Sequence, residues 1–218
     1  MKPKLEILPP AQLKIWPLLS STPATFTLYG GTAIALQLAH RISVDFDFFS
    51  ALPLDRYKLL EALSFLDKAK LIQPEINTLD CYMETTEGNV KLQFLAGLQT
   101  RLGRVEEPLI CDDNKIRVAS LRDLFATKLT TIQMRAEIKD YLDIAALLKH
   151  GLTLEDGLAC AQAVYGVNFD PGTSLRALCS YRDGDLPQLP ATIRNILTPA
   201  ALAVDKVPTI KLLSPTIG

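Results

Sequence analysis

The hydrophobic and polar positions of the chain switch between helical and alternating periods several times. Behind Pro9-Pro10, residues 10–19 read as a helix, because proline suits a first helical turn. Residues 26–29 (Phe-Thr-Leu-Tyr) form a short β-like run that ends on Gly30-Gly31. A helical stretch follows over 32–40, and residues 42–49 return to period two. In that run Val44, Phe46 and Phe48 share one face and Ser43, Asp45 and Asp47 the other. The apolar set predicts core. Asp55 is placed to cap a helix reaching to about Lys68, with Leu59, Leu60, Leu63 and Leu66 at helical spacing. Residues 71–77, 81–86 and 90–95 are predicted strands, with Glu87-Gly88-Asn89 as a turn, and 116–119 is a further edge strand.

From Ser120 the pattern is helical. Ser120 and Asp123 make a capping signature, and Leu121, Leu124, Phe125, Leu129 and Ile132 form an apolar stripe. Lys128 falls inside that stripe. It either snorkels outward along its stem or is held inward for a phosphate. In the next helix Ile138, Tyr141, Leu142, Ala145 and Leu148 share a face, and Gly151 is a C-cap. Asp140 and Asp143 lie to either side of that face, so a salt bridge from Lys128 to one of them is a third reading. Thr153 with Asp156 caps a helix to Tyr165. Asp170-Pro171-Gly172 is a turn, residues 173–181 a helix, 186–190 a proline-bounded connector, and a last helix starts near Ala191. The tail from Pro208 is expected to be loose.

The expectation is an α+β protein in two lobes. Residues 1–119 make a mixed sheet with helices, and residues 120–218 a helical bundle. The length of 218 residues suits this and is enough to bury a core. A net charge of −1 gives no global basic field for nucleic acid. The four cysteines (Cys81, Cys111, Cys160, Cys179) lack metal or redox spacing and are expected to be free, buried thiols in a reducing cytoplasm. Met1-Lys2-Pro3-Lys4 leads into no secretory signal. The uncharged run 15–40 is broken by Pro17, Pro23 and the glycine pair, so no membrane partner is expected.

The candidate chemistry sits at 26–49. Two carboxylates on one strand face repel unless a cation lies between them. A hard cation such as Mg²⁺ resolves the conflict, because it takes oxygen ligands and bridges carboxylates to substrate phosphates. Glycine lets the backbone approach a ligand closely, and the amides that open the following helix make an anion site. Strand, Gly-Gly, helix, then a strand with Asp-x-Asp therefore points to nucleotide chemistry.

The run LYGGTAIALQLAHRISVDFDFFS resembles the AbiEii/AbiGii toxin family of nucleotidyltransferases, within the polymerase-β-like superfamily. That pattern is Gly-Gly or Gly-Ser, about a dozen residues, then Asp-x-Asp. The resemblance continues downstream, where the family carries a lysine on one helix and (Lys/Arg)-Asp-Tyr-x-Asp on the next. Here these are Lys128 and Lys139-Asp140-Tyr141-Leu142-Asp143. It spans roughly residues 8–190.

The resemblance implies a polymerase-β-like fold and Mg²⁺-dependent transfer of a nucleotide from an NTP to an acceptor hydroxyl. Asp45 and Asp47 would hold the metal. Gly30, Gly31, Thr32, Arg41, Ser43 and Lys128 would bind the nucleotide, and Asp140 or Asp143, Asp140 being favoured, would support catalysis with Lys128. Arg135 would face phosphate or solvent. The family also implies the toxin of a toxin–antitoxin pair, with the tRNA 3′ end as acceptor and a cognate antitoxin as partner. Many polymerase-β-like enzymes have a third carboxylate where this chain has the neutral Gln93. That residue motivates an alternative, a nucleotide-binding module without transfer. Another alternative is transfer to a small molecule or protein.

Overall fold

The computed structural model describes residues 1–72, 75–98 and 102–217. The architecture is α+β, as expected: among the described residues there are seven strands in one mixed sheet and eight α-helices. The chain divides into two compact units, one made of Met1–Leu102, Glu107–Ser120 and Ser214–Gly218, the other of Gly103–Glu106 and Leu121–Leu213.

The first unit holds the sheet. Its strands are β1 (Thr27–Tyr29), β2 (Asp45–Phe49), β3 (Lys70–Leu71), β4 (Thr78–Thr85), β5 (Gly88–Leu95), β6 (Leu109–Ile110) and β7 (Arg117–Val118), in the order β3-β4-β5-β2-β1-β7-β6. Strand β2 runs antiparallel to β1 and parallel to β5. The alternation in 45–49 is realised: Phe46 and Phe48 are fully buried, with Leu92 and Phe94 of β5 beside them. Phe48 stacks on Phe94 with centroids 5.1 Å apart, and Trp16 stacks on Phe46 at 6.1 Å. These rings close one face of the sheet, and the opposite face carries the aspartates.

Helices α1 (Pro10–Ile15), α2 (Gly30–Leu38) and α3 (Arg56–Ala62) complete this unit. Helix α1 is shorter than predicted, because Pro17 has no N–H for a helical bond, and the chain continues as a 3₁₀ turn over Trp16–Ser21. Gly31 to Leu36 of α2 are buried, as suits a helix apolar all round. The Asp55 carboxylate accepts from Lys58 N (3.1 Å), the predicted cap. The helix stops at Ala62 and a 3₁₀ turn, Ser64–Lys68, replaces its last part.

Three strand expectations are corrected. The run at 42–49 becomes a strand only from Asp45, and Val44, expected in the core, is 58% exposed. The strand expected over 71–77 is limited to β3, with Gln73 and Pro74 outside the described residues. The segment 116–119 is no edge: β7 lies between β1 and β6, and β6, too short to show any alternation, is the edge.

The second unit is helical: α4 (Leu121–Thr131), α5 (Ile138–Lys149), α6 (Leu154–Tyr165), α7 (Pro171–Ala177) and α8 (Ala191–Ala203). Thr153 Oγ1 accepts from Asp156 N at 3.2 Å, the predicted cap of α6. Asp170 caps α7 by accepting from Gly172 N and Thr173 N, so that helix opens at Pro171 and ends before 178. The tail is mostly exposed and packs only in part. Pro208, Thr209 and Ile210 line a cavity of about 340 Å³ with Ala159, Gln162 and Ala163 of α6, and Ile217 is buried in the first unit. All four cysteines are free, but Cys179 is exposed where burial was expected. Among the described residues, no helix is long and apolar enough to cross a membrane.

Candidate active site

The first unit gathers one set of the residues singled out above. On β2 the buried phenylalanines alternate with Asp45 and Asp47, which are half-buried on the other face. Gly30 opens α2 at φ 72°, a conformation that side chains resist. A Cβ at Gly30 would run into Asp47 Oδ2. A Cβ at Gly31 would lie 2.5 Å from Arg41 Nη2 and 2.8 Å from Ser43 Oγ. Both glycines are therefore required by packing: one admits a carboxylate, the other a guanidinium and a hydroxyl. Thr32 Oγ1 donates to the carbonyl of Asp45 (2.5 Å) and ties the start of α2 to β2. Arg41 Nη1 donates to the carbonyl of Ile42 at 2.9 Å. Gly30, Gly31, Thr32, Arg41, Ser43, Asp45 and Asp47 thus form one cluster in which the positive end of a helix and a guanidinium lie beside two carboxylates.

The donor set bears on the metal. Among the described residues, no three His, Cys, Asp or Glu side chains are grouped to hold an ion. Two carboxylates on one strand face fit a hard cation that keeps water and takes its remaining oxygens from a substrate phosphate, which is how Mg²⁺ is commonly held. They do not fit a closed structural site.

Gln93 is not idle. It stands opposite Asp47 in the β2–β5 register and opposite Asp80 in the β4–β5 register. Its Nε2 donates to Asp80 Oδ2 at 2.8 Å, and Lys91 Nζ lies 4.0 Å from the same oxygen. Asp80 did not stand out in the sequence. The signal lay in the two-residue turn Thr86-Glu87, because Thr85 pairs with Gly88 and the pairing of 80 with 93 follows from it.

The second unit gathers the other set. Lys128 Nζ lies 2.7 Å from Asp140 Oδ1 and 2.7 Å from Asp143 Oδ2, and all three residues are buried. Asp140 and Asp143 are i and i+3 on α5, hence on one side of it. The buried face of α5 is therefore Asp140, Tyr141, Asp143, Ile144, Ala145 and Leu147. Leu142 and Leu148, expected to face inward, are only half-buried, because the lysine draws the two carboxylates inward. Arg135, expected at phosphate or solvent, is exposed and at the same time grips Asp140 with Nε at 2.9 Å and Nη2 at 3.2 Å. Burial alone would raise the Asp140 carboxyl, but the Arg135 hydrogen bonds and the Lys128 charge outweigh it and hold it below 3.8. A second unforeseen residue is Asp185, whose Oδ1 accepts from Ile138 N (2.7 Å) and so caps α5 from 47 residues away.

Comparison with known proteins identifies the family. The sequence matches the family described as "Nucleotidyl transferase AbiEii toxin, Type IV TA system" over residues 18–205. An uncharacterized protein of Aquifex aeolicus, aq_aa25, is 27% identical over 161 residues, covering 72% of this chain and 74% of its own. Two solved structures share the fold. MenT4, nucleotidyltransferase toxin Rv2826c of Mycobacterium tuberculosis, superposes with a TM-score of 0.59 at 15% identity, covering 89% of this chain and 82% of that one. JHP933 of Helicobacter pylori gives 0.58 at 17% identity, covering 88% of each chain. The chain belongs to the AbiEii nucleotidyl transferase toxin family of type IV toxin–antitoxin systems, and is an enzyme of nucleotidyl transfer.

Proposed function

We propose that the protein transfers a nucleotide from an NTP to an acceptor hydroxyl with Asp45 and Asp47 as its metal ligands, and that the acceptor is the 3′ end of a tRNA. The observation that carries this reading is the cluster on β2 and the start of α2, where two carboxylates lie beside a helix N-terminus, Arg41 and Ser43. The acceptor oxygen bonds to the α-phosphorus, the bond to the bridging oxygen of the β-phosphate breaks, and pyrophosphate leaves. The hydroxyl proton passes to a base or to water.

The chain's own residues divide the work. Asp45 and Asp47 would hold Mg²⁺, which when bound offsets phosphate charge and the charge that builds during an in-line displacement. The amides of Gly31 and Thr32, with Arg41 and Ser43, would orient the phosphates. Lys128 has three N–H donors; two are directed at Asp140 and Asp143, and the third would serve a phosphate oxygen. Asp140, kept charged by Arg135 and Lys128, is a weak proton acceptor. Buried and bonded through both oxygens, its role is accordingly to hold Lys128, not to take the acceptor's proton.

The family places the chain with an antitoxin and an NTP; a cytoplasmic setting is in keeping with four free thiols. A tRNA tail needs only a few phosphate contacts, so a net charge of −1 is compatible with it. The test is incubation of the purified protein with Mg²⁺, total tRNA and each α-labelled NTP in turn, beside an Asp45→Ala/Asp47→Ala control. Label on RNA with the unaltered protein only is the expected result, and it also identifies the base. Label on a protein or small hydroxyl compound instead would replace the tRNA acceptor. Transfer by the double variant would overturn the site.

A further inference from the structure

Four strands place four side chains in one row across the sheet. Asp80 of β4 pairs with Gln93 of β5, Gln93 with Asp47 of β2, and Asp47 with Tyr29 of β1. Side chains opposite one another on neighbouring strands share a face, so Asp80 and Gln93 stand on the face of the Asp45/Asp47 pair. Within this row the Gln93 amide is committed. Its nitrogen donates to Asp80 Oδ2 at 2.8 Å, and its oxygen, the other branch of the same group, is turned away from that carboxylate. Asp80 itself is under strain of another kind. Its Oδ1 is buried with no hydrogen-bond partner, and Lys91, 4.0 Å from Oδ2, neutralises it only from a distance. Leaving a buried carboxylate oxygen unsatisfied carries the desolvation penalty of that oxygen. An apolar residue at 80 would avoid that cost, so the carboxylate is retained against local stability.

We infer that Gln93 contributes the third oxygen of the metal site, and that Asp80 is the positioning residue that aims it. This rests on the reading of Asp45 and Asp47 as metal ligands. An amide oxygen is a neutral, weaker donor than a carboxylate, and it serves only if the amide is held the right way round. Asp80 accepts but cannot donate, so it selects the orientation with nitrogen toward β4 and oxygen toward β2. The chain thereby keeps an oxygen donor at 93 with one negative charge fewer beside the phosphates, and the missing carboxylate is placed one strand further out.

The test reads metal binding without turnover. Mn²⁺ is titrated into the purified full chain and free ion is followed by electron paramagnetic resonance, with thermal unfolding as a check on folding. Asp80→Asn keeps the shape but lets the amide turn either way, and should weaken Mn²⁺ about tenfold, the lower end of what orienting groups around metal ligands contribute. The Gln93→Glu/Asp80→Asn double variant supplies a third carboxylate with a donor behind it, and should bind Mn²⁺ about tenfold or more tighter than the unaltered protein. An Asp45→Ala/Asp47→Ala control separates the two levels. If it abolishes binding while the position 80 and 93 variants, folded normally, leave Mn²⁺ affinity unchanged, the inference is wrong and the two-aspartate site stands. If the control still binds Mn²⁺ as before, the two-aspartate site fails and the inference falls with it.

Discussion

Replacing Lys128 by methionine tests the buried triad of the second unit. The substitution keeps the length of the stem and removes the ammonium that lies 2.7 Å from Asp140 and 2.7 Å from Asp143. Asp140 retains Arg135. Asp143 is fully buried and loses the ammonium that lay 2.7 Å from its Oδ2. Breaking a buried ion pair by removing one partner typically costs ~3–5 kcal/mol, and the variant should lose about that much at pH 7. Lys128 is one of the two cations that hold the Asp140 carboxyl low, so part of the deficit should disappear on acidification, as Asp140 becomes protonated in both proteins. In the unaltered protein the Asp140 contribution is intact at neutral pH and fades only below 3.8. Urea unfolding followed by circular dichroism at pH 7 measures the deficit. A loss below about 1 kcal/mol would refute the argument, because depriving a buried ion pair of its cation costs more than that.

Other outcomes follow from single observations. Acidification of the unaltered protein below pH 3.8 should unfold it progressively, as Asp140 protonates and releases Lys128 and Arg135; an acid titration by circular dichroism checks this. Gly30→Ala places a Cβ on Asp47 Oδ2 at φ 72°, and should cut transfer about 100-fold for a stability loss of about 1–2 kcal/mol, read by label transfer and thermal unfolding. Ala39 ends α2 in the left-handed region at φ 53°, so Ala39→Gly should stabilise the protein by about 0.5–1 kcal/mol, visible as a higher urea midpoint. Burial raises the Cys81 thiol to about 11 and those of Cys111 and Cys160 to about 12. A thiol reagent at pH 8 should therefore label Cys179 alone in the native protein and all four cysteines in urea, as counted by mass spectrometry.

The sequence by itself determined what depends on neighbours along the chain. The alternation at 45–49 set which residues are core and which carry carboxylates, since side chains on a strand change face at every step. The caps at Asp55 and Thr153 were readable because a capping side chain bonds to an amide two or three residues away. The glycine pair could be read as a sharp, close approach, though not what approaches it: only folding brings Asp47 to Gly30 and Arg41 with Ser43 to Gly31. Lys128 is the instructive case. Helical spacing put it in an apolar stripe and left three readings open, because a buried lysine is decided by its partners, and Asp140, Asp143 and Arg135 are supplied by another helix and its leading turn. The partner of Gln93 was likewise a matter of register between strands, which assigned Asp80 to it. The two-residue strands β3 and β6 and the packed part of the tail were illegible for the same reason. Their order comes from pairing and burial against distant segments, and two or three residues carry no period of their own.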